Sequence, residues 1–155
     1  MKILMASSEA VPYAKTGGLA DMVSALSLAL AKQGNEVRIV LPRYYGINKN
    51  ELGLEALEGP MGVPMGGGEE WCEVYQAALP GSGKKPIRVY FIDHERFFGR
   101  DGIYGVPSEP DFLDNPRRFT FFCRSIFQLC KKIDWYPDVL HAHDWPSALA
   151  PVFLK

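Results

Sequence analysis

Residues 9–21 form a polar segment between an apolar run and an amphipathic pattern, with the sequence EAVPYAKTGGLAD. Lys15 supplies a positive charge, while Gly17 and Gly18 have no side chain to keep a ligand away from the backbone. The segment leads into a helix N-terminus, where free N–H groups attract anions. This combination suits a diphosphate. The same residues also suit a plain turn with a solvated lysine, and the residues alone do not separate the two interpretations.

A second polar cluster follows the last apolar run and contains His141, His143 and Asp144. Alternation along a strand places both imidazoles on one side, and ligands of open α/β sheets bind at the carboxyl ends of strands. A metal site is disfavoured because the cluster offers two imidazoles and one carboxylate, and His94 is the one further histidine. Two interpretations remain. Either Asp144 accepts hydrogen bonds from ligand hydroxyls, or it caps a helix beside buried structural histidines.

Two phosphate-binding motifs are incomplete. Gly81–Lys85 resembles the end of a P-loop, but Ala78 stands in place of the first glycine and no serine or threonine follows Lys84. The dinucleotide-binding pattern Gly-x-Gly-x-x-Gly is absent after the first apolar run. An α/β oxidoreductase is therefore a weak alternative.

The first forty residues predict a β-α-β unit that positions residues 9–21. An apolar run at 2–7 predicts a strand, and a second strand is predicted at 36–41. Between them an apolar stripe predicts a helix that ends at Gly34, formed by Leu19, Met22, Val23, Leu26 and Leu30. A crossover helix joins parallel strands, so we expect a Rossmann-like α/β fold with a mostly parallel sheet and helices on both faces.

The later elements are predicted from the same periodicities. Residues 59–68 are rich in glycine and proline and indicate a mobile loop, and residues 93–115 predict loop apart from a helical turn near His94–Phe98. The predicted strands are 71–79, 87–92 and 137–141. One helix is predicted from Pro116 to Ile133, and another from Trp145–Pro146 to Lys155.

Composition excludes several classes of protein. Of 155 residues, 47% are hydrophobic and 23% are charged, which is typical of a globular domain. Lysine and arginine number 17 against 18 acidic residues, so the chain offers no general basic surface for nucleic acid. No apolar run approaches the roughly 20 residues of a membrane span. The three cysteines predict buried thiols in a reducing compartment.

Several blocks of the sequence together resemble the bacterial glycogen synthases and plant starch synthases, glycosyltransferase family 5. The most specific are Lys15–Asp21 (KTGGLAD) and Asp138–Trp145 (DVLHAHDW). The blocks that also agree are Ser8–Ala14, Val40–Tyr44, Phe91–Asp93 and Asp114–Phe119. The order and spacing of these blocks match from end to end, so the resemblance covers essentially the whole chain.

The resemblance implies the N-terminal half of a GT-B-type enzyme, with residues 1–155 forming most of the acceptor-side domain. Such enzymes are retaining glucosyltransferases that move glucose from ADP-glucose, or UDP-glucose in some members, to the non-reducing end of an α-1,4-glucan. The nucleotide sugar is a substrate, and neither a metal nor another cofactor is implied. The implied location is the cytoplasm, or the plastid for a plant protein.

The resemblance also implies roles for individual residues. Those implied to bind the donor phosphates are Lys15, Gly17 and Gly18. Asp21 and Asp144 match acidic residues at the reacting sugars and are the implied catalytic residues. Those implied to contact the sugar or the acceptor are Glu9, Tyr104 and His143.

Two departures from the family pattern qualify these expectations. Pro146 stands where the family usually has a histidine. The chain also ends before a downstream His-Asn segment and before the C-terminal nucleotide-binding domain, so we expect the isolated chain to be inactive. The alternative from another class is a stand-alone glucan- or nucleotide-binding module without transferase activity.

Overall fold

The computed structural model describes residues 1–154 and shows an α/β sandwich around one sheet. Within these residues the strands are β1 Lys2–Ala6, β2 Glu36–Pro42, β3 Glu55–Ala56, β4 Met61–Met65, β5 Gly68–Ala78, β6 Arg88–Asp93 and β7 Val139–Ala142. The helices are α1 Gly18–Lys32, α2 Glu95–Phe98 and α3 Asn115–Lys132. Two short 3₁₀ turns follow, at Trp145–Ser147 and Pro151–Leu154.

The sheet has the strand order β3-β5-β6-β2-β1-β7, and β4 pairs with β5 outside this path. The pairs β6–β2, β2–β1 and β1–β7 are parallel, whereas β5 runs antiparallel to β6, β3 and β4. The crossovers β1–α1–β2 and β6–α3–β7 run in opposite directions across the sheet. Because such crossovers are right-handed, α1 and α3 cover opposite faces. The predicted α/β fold is confirmed, with an antiparallel portion at one edge.

Helix α3, which was predicted at residues 116–133, carries one apolar face into the core. Phe119, Phe122, Cys123, Ile126 and Cys130 are all buried there. Its partner on the other face, α1, buries a different set of residues from the predicted stripe.

The buried side chains of α1 are Ala20, Val23, Ser24 and Ser27. Met22 is 43% exposed, so its assignment to the buried stripe was wrong. Small side chains on the inner face let α1 lie close against the strands, and the larger leucines cover the margins of this contact. The Ser27 hydroxyl is satisfied inside the helix by the Val23 carbonyl at 2.7 Å.

The predicted mobile loop at 59–68 was also wrong, because β4 and β5 form an antiparallel hairpin through this segment. Met61 and Val63 are buried in alternation, and Pro64 lies on an outer strand where a missing N–H is tolerated. Gly66 adopts φ +63° at the turn, a conformation that favours glycine. The glycines and proline therefore mark a turn and an edge.

The predicted third helix is replaced by the two 3₁₀ turns, because Pro151 lies in its interior and lacks the N–H group that a continuous helix needs there. Its predicted end at Lys155 lies outside the described residues. Within residues 1–154, no helix combines the length and apolarity needed to cross a membrane. The three thiols are free and buried, as predicted.

Candidate functional site

The candidate site lies where the carboxyl ends of β1 and β7 meet. These neighbouring parallel strands lead to opposite faces of the sheet: β1 continues towards α1, whereas the 3₁₀ turn after β7 packs against α3. The Cys123 thiol on α3 donates a hydrogen bond to the Pro146 carbonyl at 3.3 Å, which fixes that turn. A divergence of this kind leaves a crevice above the two strand ends, the usual ligand position in open α/β sheets.

Glu9, just after β1, is 2% exposed and holds the glycine-containing segment in place. Its carboxylate accepts hydrogen bonds from the Thr16 N–H at 2.5 Å, the Thr16 hydroxyl at 2.8 Å and the Gly17 N–H at 3.3 Å. Burial alone would raise the pKa of Glu9. Hydrogen bonds from Tyr104, Thr16 and Gly17 outweigh burial and lower this pKa below its usual value.

Tyr104 joins this segment from the loop between α2 and α3. Its hydroxyl donates to Glu9 Oε1 at 2.6 Å and lies 2.7 Å from Ser8 Oγ. Its ring packs against Phe119 and Trp145, with centroid separations of 6.1 and 5.6 Å. Burial, and then the hydrogen bond to Glu9, raise the pKa of Tyr104, so the phenol stays protonated.

Lys15 and Asp21 face solvent and form an ion pair, with Nζ 2.7 Å from Oδ2. An exposed pair of this kind stabilises a fold by less than about 1 kcal/mol. A ligand phosphate that pairs with the Lys15 ammonium would therefore break only a weak ion pair with Asp21.

Gly17 and Gly18 stand at the N-terminus of α1 with open space above them. A side-chain Cβ built on either glycine would meet no atom within 4 Å. Gly17 has φ −152°, which any residue can adopt. Neither backbone strain nor internal packing therefore requires glycine here, and the open space suits the close approach of a ligand.

Asp144 has a backbone conformation that is nearly restricted to glycine, with φ 61° and ψ 177°. Its carboxylate accepts a hydrogen bond from the Trp145 N–H at 2.7 Å and is exposed. The ring of the next residue, Trp145, packs against the Tyr104 ring with centroids 5.6 Å apart, so Asp144 belongs to the same side of the site as Tyr104. Asp144 therefore caps the 3₁₀ turn and also presents a carboxylate to the crevice. Strained residues of this kind cluster at functional sites.

His143 is buried beneath the crevice, and its backbone N–H donates to the Ala6 carbonyl at 2.9 Å. The rings of His141 and His143 lie on the same side of β7, with centroids 4.1 Å apart, as alternation predicted. His94 lies elsewhere, stacked on Phe97. Across the described chain, no group of three or more His, Cys, Asp or Glu side chains is arranged to hold a metal ion.

We expect His143 to make the protein less stable in acid. Burial, and then the neighbouring His141, lower the pKa of His143 to about 4. The unfolded chain, with a histidine pKa near 6.5, takes up the proton first as the pH falls. The free energy of unfolding should therefore fall between about pH 6.5 and pH 4, by up to about 3 kcal/mol.

Urea titrations at several pH values measure this slope. The variant His143→Phe should flatten it, whereas His141→Gln, which removes only a neighbouring imidazole, should change it less. An unchanged slope in His143→Phe would contradict this assignment.

The structure brings together seven of the eight predicted site residues at this crevice or at its α1 rim; the eighth, His143, lies beneath it. Sequence reasoning missed Ser8 as a hydrogen-bonding partner of Tyr104 and Thr16 as a partner of Glu9. Both residues lie in blocks that carry the family resemblance. Sequence reasoning also missed Asn115 and Arg118, which hold the Tyr104 loop from α3. No periodic signal marks these two, because a polar residue in an amphipathic helix ordinarily faces water.

The fold defines the class of open α/β domains that have a crevice at the carboxyl ends of two adjacent parallel strands. The family model described as "Starch synthase catalytic domain" matches residues 2–155. Among curated relatives, the glycogen synthase of Treponema denticola is 52% identical, and glycogen synthase 1 of Geobacter metallireducens is 47% identical. Each match covers 100% of this chain and 30% of the relative. The chain belongs to the starch synthase catalytic domain family.

A solved structure agrees with this assignment. The catalytic domain of starch synthase IV from Arabidopsis thaliana, bound to ADP and acarbose, has a TM-score of 0.83 and 30% sequence identity, and the match covers 99% of this chain and 30% of that chain. The predicted resemblance and the fold of a GT-B glycosyltransferase are confirmed. This chain spans about 30% of the length of the relatives that it matches.

Proposed function

We propose that this chain is most of the N-terminal, acceptor-side domain of a glycogen or starch synthase. The complete enzyme would transfer glucose with retention of configuration from ADP-glucose or UDP-glucose to the non-reducing end of an α-1,4-glucan. The observation that carries the proposal is the open α1 N-terminus at Gly17 and Gly18, beside Lys15 and held by buried Glu9. The names of the relatives, and the ADP bound to the Arabidopsis enzyme, support it.

The donor phosphates would lie over Gly17 and Gly18. There they would meet free N–H groups of the first turn of α1 and the Lys15 ammonium. Negative charge grows on the diphosphate as the bond to glucose breaks, and a preorganised cationic site stabilises that charge most in the transition state. The nucleotide sugar is a substrate in this proposal, and the described residues supply no metal cluster to it.

The two exposed carboxylates flank this position. Asp144, held by its strained backbone, would accept hydrogen bonds from sugar hydroxyls at the reacting centre. Asp21 would be released when Lys15 turns to the phosphates, and its carboxylate would then face the same ligand. His143 lies beneath the crevice and would contribute its neutral imidazole to the sugar site.

Release of nucleoside diphosphate tests the proposal directly. The complete protein, mixed with ADP-glucose or UDP-glucose and maltooligosaccharide, should release the diphosphate and lengthen the glucan. Residues 1–155 alone should do neither, because we place the remaining donor contacts on the C-terminal domain. If the complete protein transfers no glucose but binds maltooligosaccharide in a calorimeter, the stand-alone binding module is the better description.

Lys15→Ala in the complete enzyme should lower kcat/KM for the nucleotide sugar by about 10- to 100-fold, through loss of one cation at the phosphates. The melting temperature should change little, because Lys15 is exposed and its ion pair is weak. Lys32→Ala, at the other end of α1, is the matched control and should leave both quantities near their original values. Equal activity losses in the two variants would count against a phosphate role for Lys15.

A further inference from the structure

The Glu9 carboxylate has no remaining capacity for a ligand. A carboxylate offers about four acceptor positions, and Glu9 receives four donors: the Thr16 N–H, the Thr16 hydroxyl, the Gly17 N–H and the Tyr104 hydroxyl. Glu9 is also buried, so a sugar hydroxyl would have to displace one of these partners. The groups that Glu9 holds belong to the segment of the proposed donor phosphates.

The Tyr104 hydroxyl is likewise directed at Glu9. Its single proton goes to Glu9 Oε1, and the Ser8 hydroxyl, 2.7 Å away, is placed to donate to it. The ring is half-buried between Phe119 and Trp145, which leaves the phenol little freedom to turn elsewhere.

The first turn of α3 holds the backbone at Tyr104 and at the residue before it. The Asn115 amide donates to the Tyr104 carbonyl at 2.8 Å, and the Arg118 guanidinium donates to the Ile103 carbonyl at 3.0 Å. The Phe112 N–H adds a third hydrogen bond, to the Tyr104 carbonyl at 2.9 Å. Tyr104 is therefore anchored to a buried helix.

We propose that Tyr104 and Glu9 are positioning residues for the donor-phosphate segment, and that they act through Thr16 and Gly17. This inference rests on the proposed function and revises the sugar-contact roles that the family resemblance implied for both residues. A continuous set of hydrogen bonds runs from α3 through Tyr104 and Glu9 to the N-terminus of α1. It holds the Gly17 backbone ready for phosphate before any ligand arrives, so the cost of ordering this segment is already met.

Steady-state kinetics of the complete enzyme separates positioning from sugar contact. Tyr104→Phe and Glu9→Gln keep the shape of each side chain. The first removes the hydrogen bond from Tyr104 to Glu9. The second replaces one carboxylate oxygen by an NH2 group, which cannot accept from the donors of Thr16, Gly17 and Tyr104 that surround it. Each should raise KM for the nucleotide sugar by about tenfold, the size expected for one hydrogen bond to a charged group, and leave KM for maltooligosaccharide within about twofold. The double variant should be no worse than Glu9→Gln alone, because both changes break one path.

Hydrogen–deuterium exchange at the Thr16 and Gly17 amides supplies a readout that does not need activity. Exchange at both amides should speed up by about tenfold in Glu9→Gln and by a smaller factor in Tyr104→Phe. Tyr136→Phe is the matched control, because Tyr136 is 56% exposed and lies in the segment between α3 and β7, away from the crevice. It should change neither exchange nor kinetics.

Three outcomes are decisive. A rise in KM for the glucan, with unchanged KM for the nucleotide sugar, would make Tyr104 a sugar contact and overturn the inference. Unchanged exchange at residues 16 and 17 in both variants would also overturn it, even in an active synthase. If the unaltered protein transfers no glucose, the proposed function fails, while faster exchange in the variants would still support positioning.

Discussion

Arg118→Ala should cost about 3–5 kcal/mol of folding free energy, a large part of the stability of a domain this size. The Arg118 side chain is 0% exposed. It donates to the Phe97 carbonyl at 2.6 Å, the Ile103 carbonyl at 3.0 Å and Asn115 Oδ1 at 2.5 Å. Alanine would leave these acceptors without a buried donor and open a cavity among aromatic rings.

The environment explains how a charge is tolerated at this position. The guanidinium carbon lies 5.5, 5.0 and 5.3 Å from the ring centroids of Phe98, Phe112 and Phe119. Burial lowers the pKa of Arg118, but a guanidinium remains charged at neutral pH. The carbonyl dipoles and aromatic faces together solvate the guanidinium in place of water. The Arg118 side chain can therefore remain buried and hold the loop between α2 and α3, which contains Tyr104.

Arg117→Ala is the matched control for this loss of stability. Arg117 has the same chemistry one position away, but its side chain is 58% exposed and pairs with Glu70, which Arg96 also contacts. Its removal should cost less than about 1 kcal/mol. Urea unfolding followed by tryptophan fluorescence measures both variants, and similar losses in the two would contradict the central role of Arg118.

Asp144→Gly should inactivate the complete enzyme and also stabilise its fold relative to Asp144→Ala. Loss of the carboxylate should lower glucose transfer by at least about 100-fold, the size seen when a preorganised electrostatic group is removed from a catalytic site. Glycine accepts φ 61° and ψ 177° without strain, whereas alanine keeps the strain of about 1–3 kcal/mol. The glycine variant should therefore melt several degrees above the alanine variant.

Asp134→Gly is the control that separates strain from function. Asp134 is the other non-glycine residue with positive φ in the described chain, at +46°, and it lies after α3 and before β7. Glycine there should also relieve strain, yet glucose transfer should stay unchanged. Calorimetric melting and nucleoside diphosphate release test both positions. If Asp144→Gly keeps full activity, the backbone strain at Asp144 has no catalytic purpose.

The local elements were readable from the sequence because their signals are short-range. Apolar periodicity placed β1, α1, β2 and α3 within one or two residues, and Gly34 correctly marked the end of α1, where it has φ +89°. Both candidate segments could be found for the same reason. They follow strands of a β-α-β pattern, and ligand positions in such sheets depend on strand ends.

The errors arose where composition conceals a long-range pairing. Glycines and proline at 59–68 suggested a loop, but β4 pairs with β5 in the hairpin and Val63 is buried there. The inner face of α1 is set by how closely it can approach the strands, which favoured alanine and serine over Met22. Neither fact can be read from hydrophobicity along the chain.

The sequence by itself determined the α/β class, the strand ends that carry the site and the residue types that suit a diphosphate and sugar hydroxyls. Only the tertiary structure decided which of these residues are free to contact a ligand and which hold the others in position. It buried Glu9 among four donors, joined it to Tyr104 across 95 positions of the chain and used Arg118 as a buried anchor. The physical reason is that hydrogen-bond saturation and burial depend on neighbours that are distant in sequence, whereas periodicity reports only neighbours that are near.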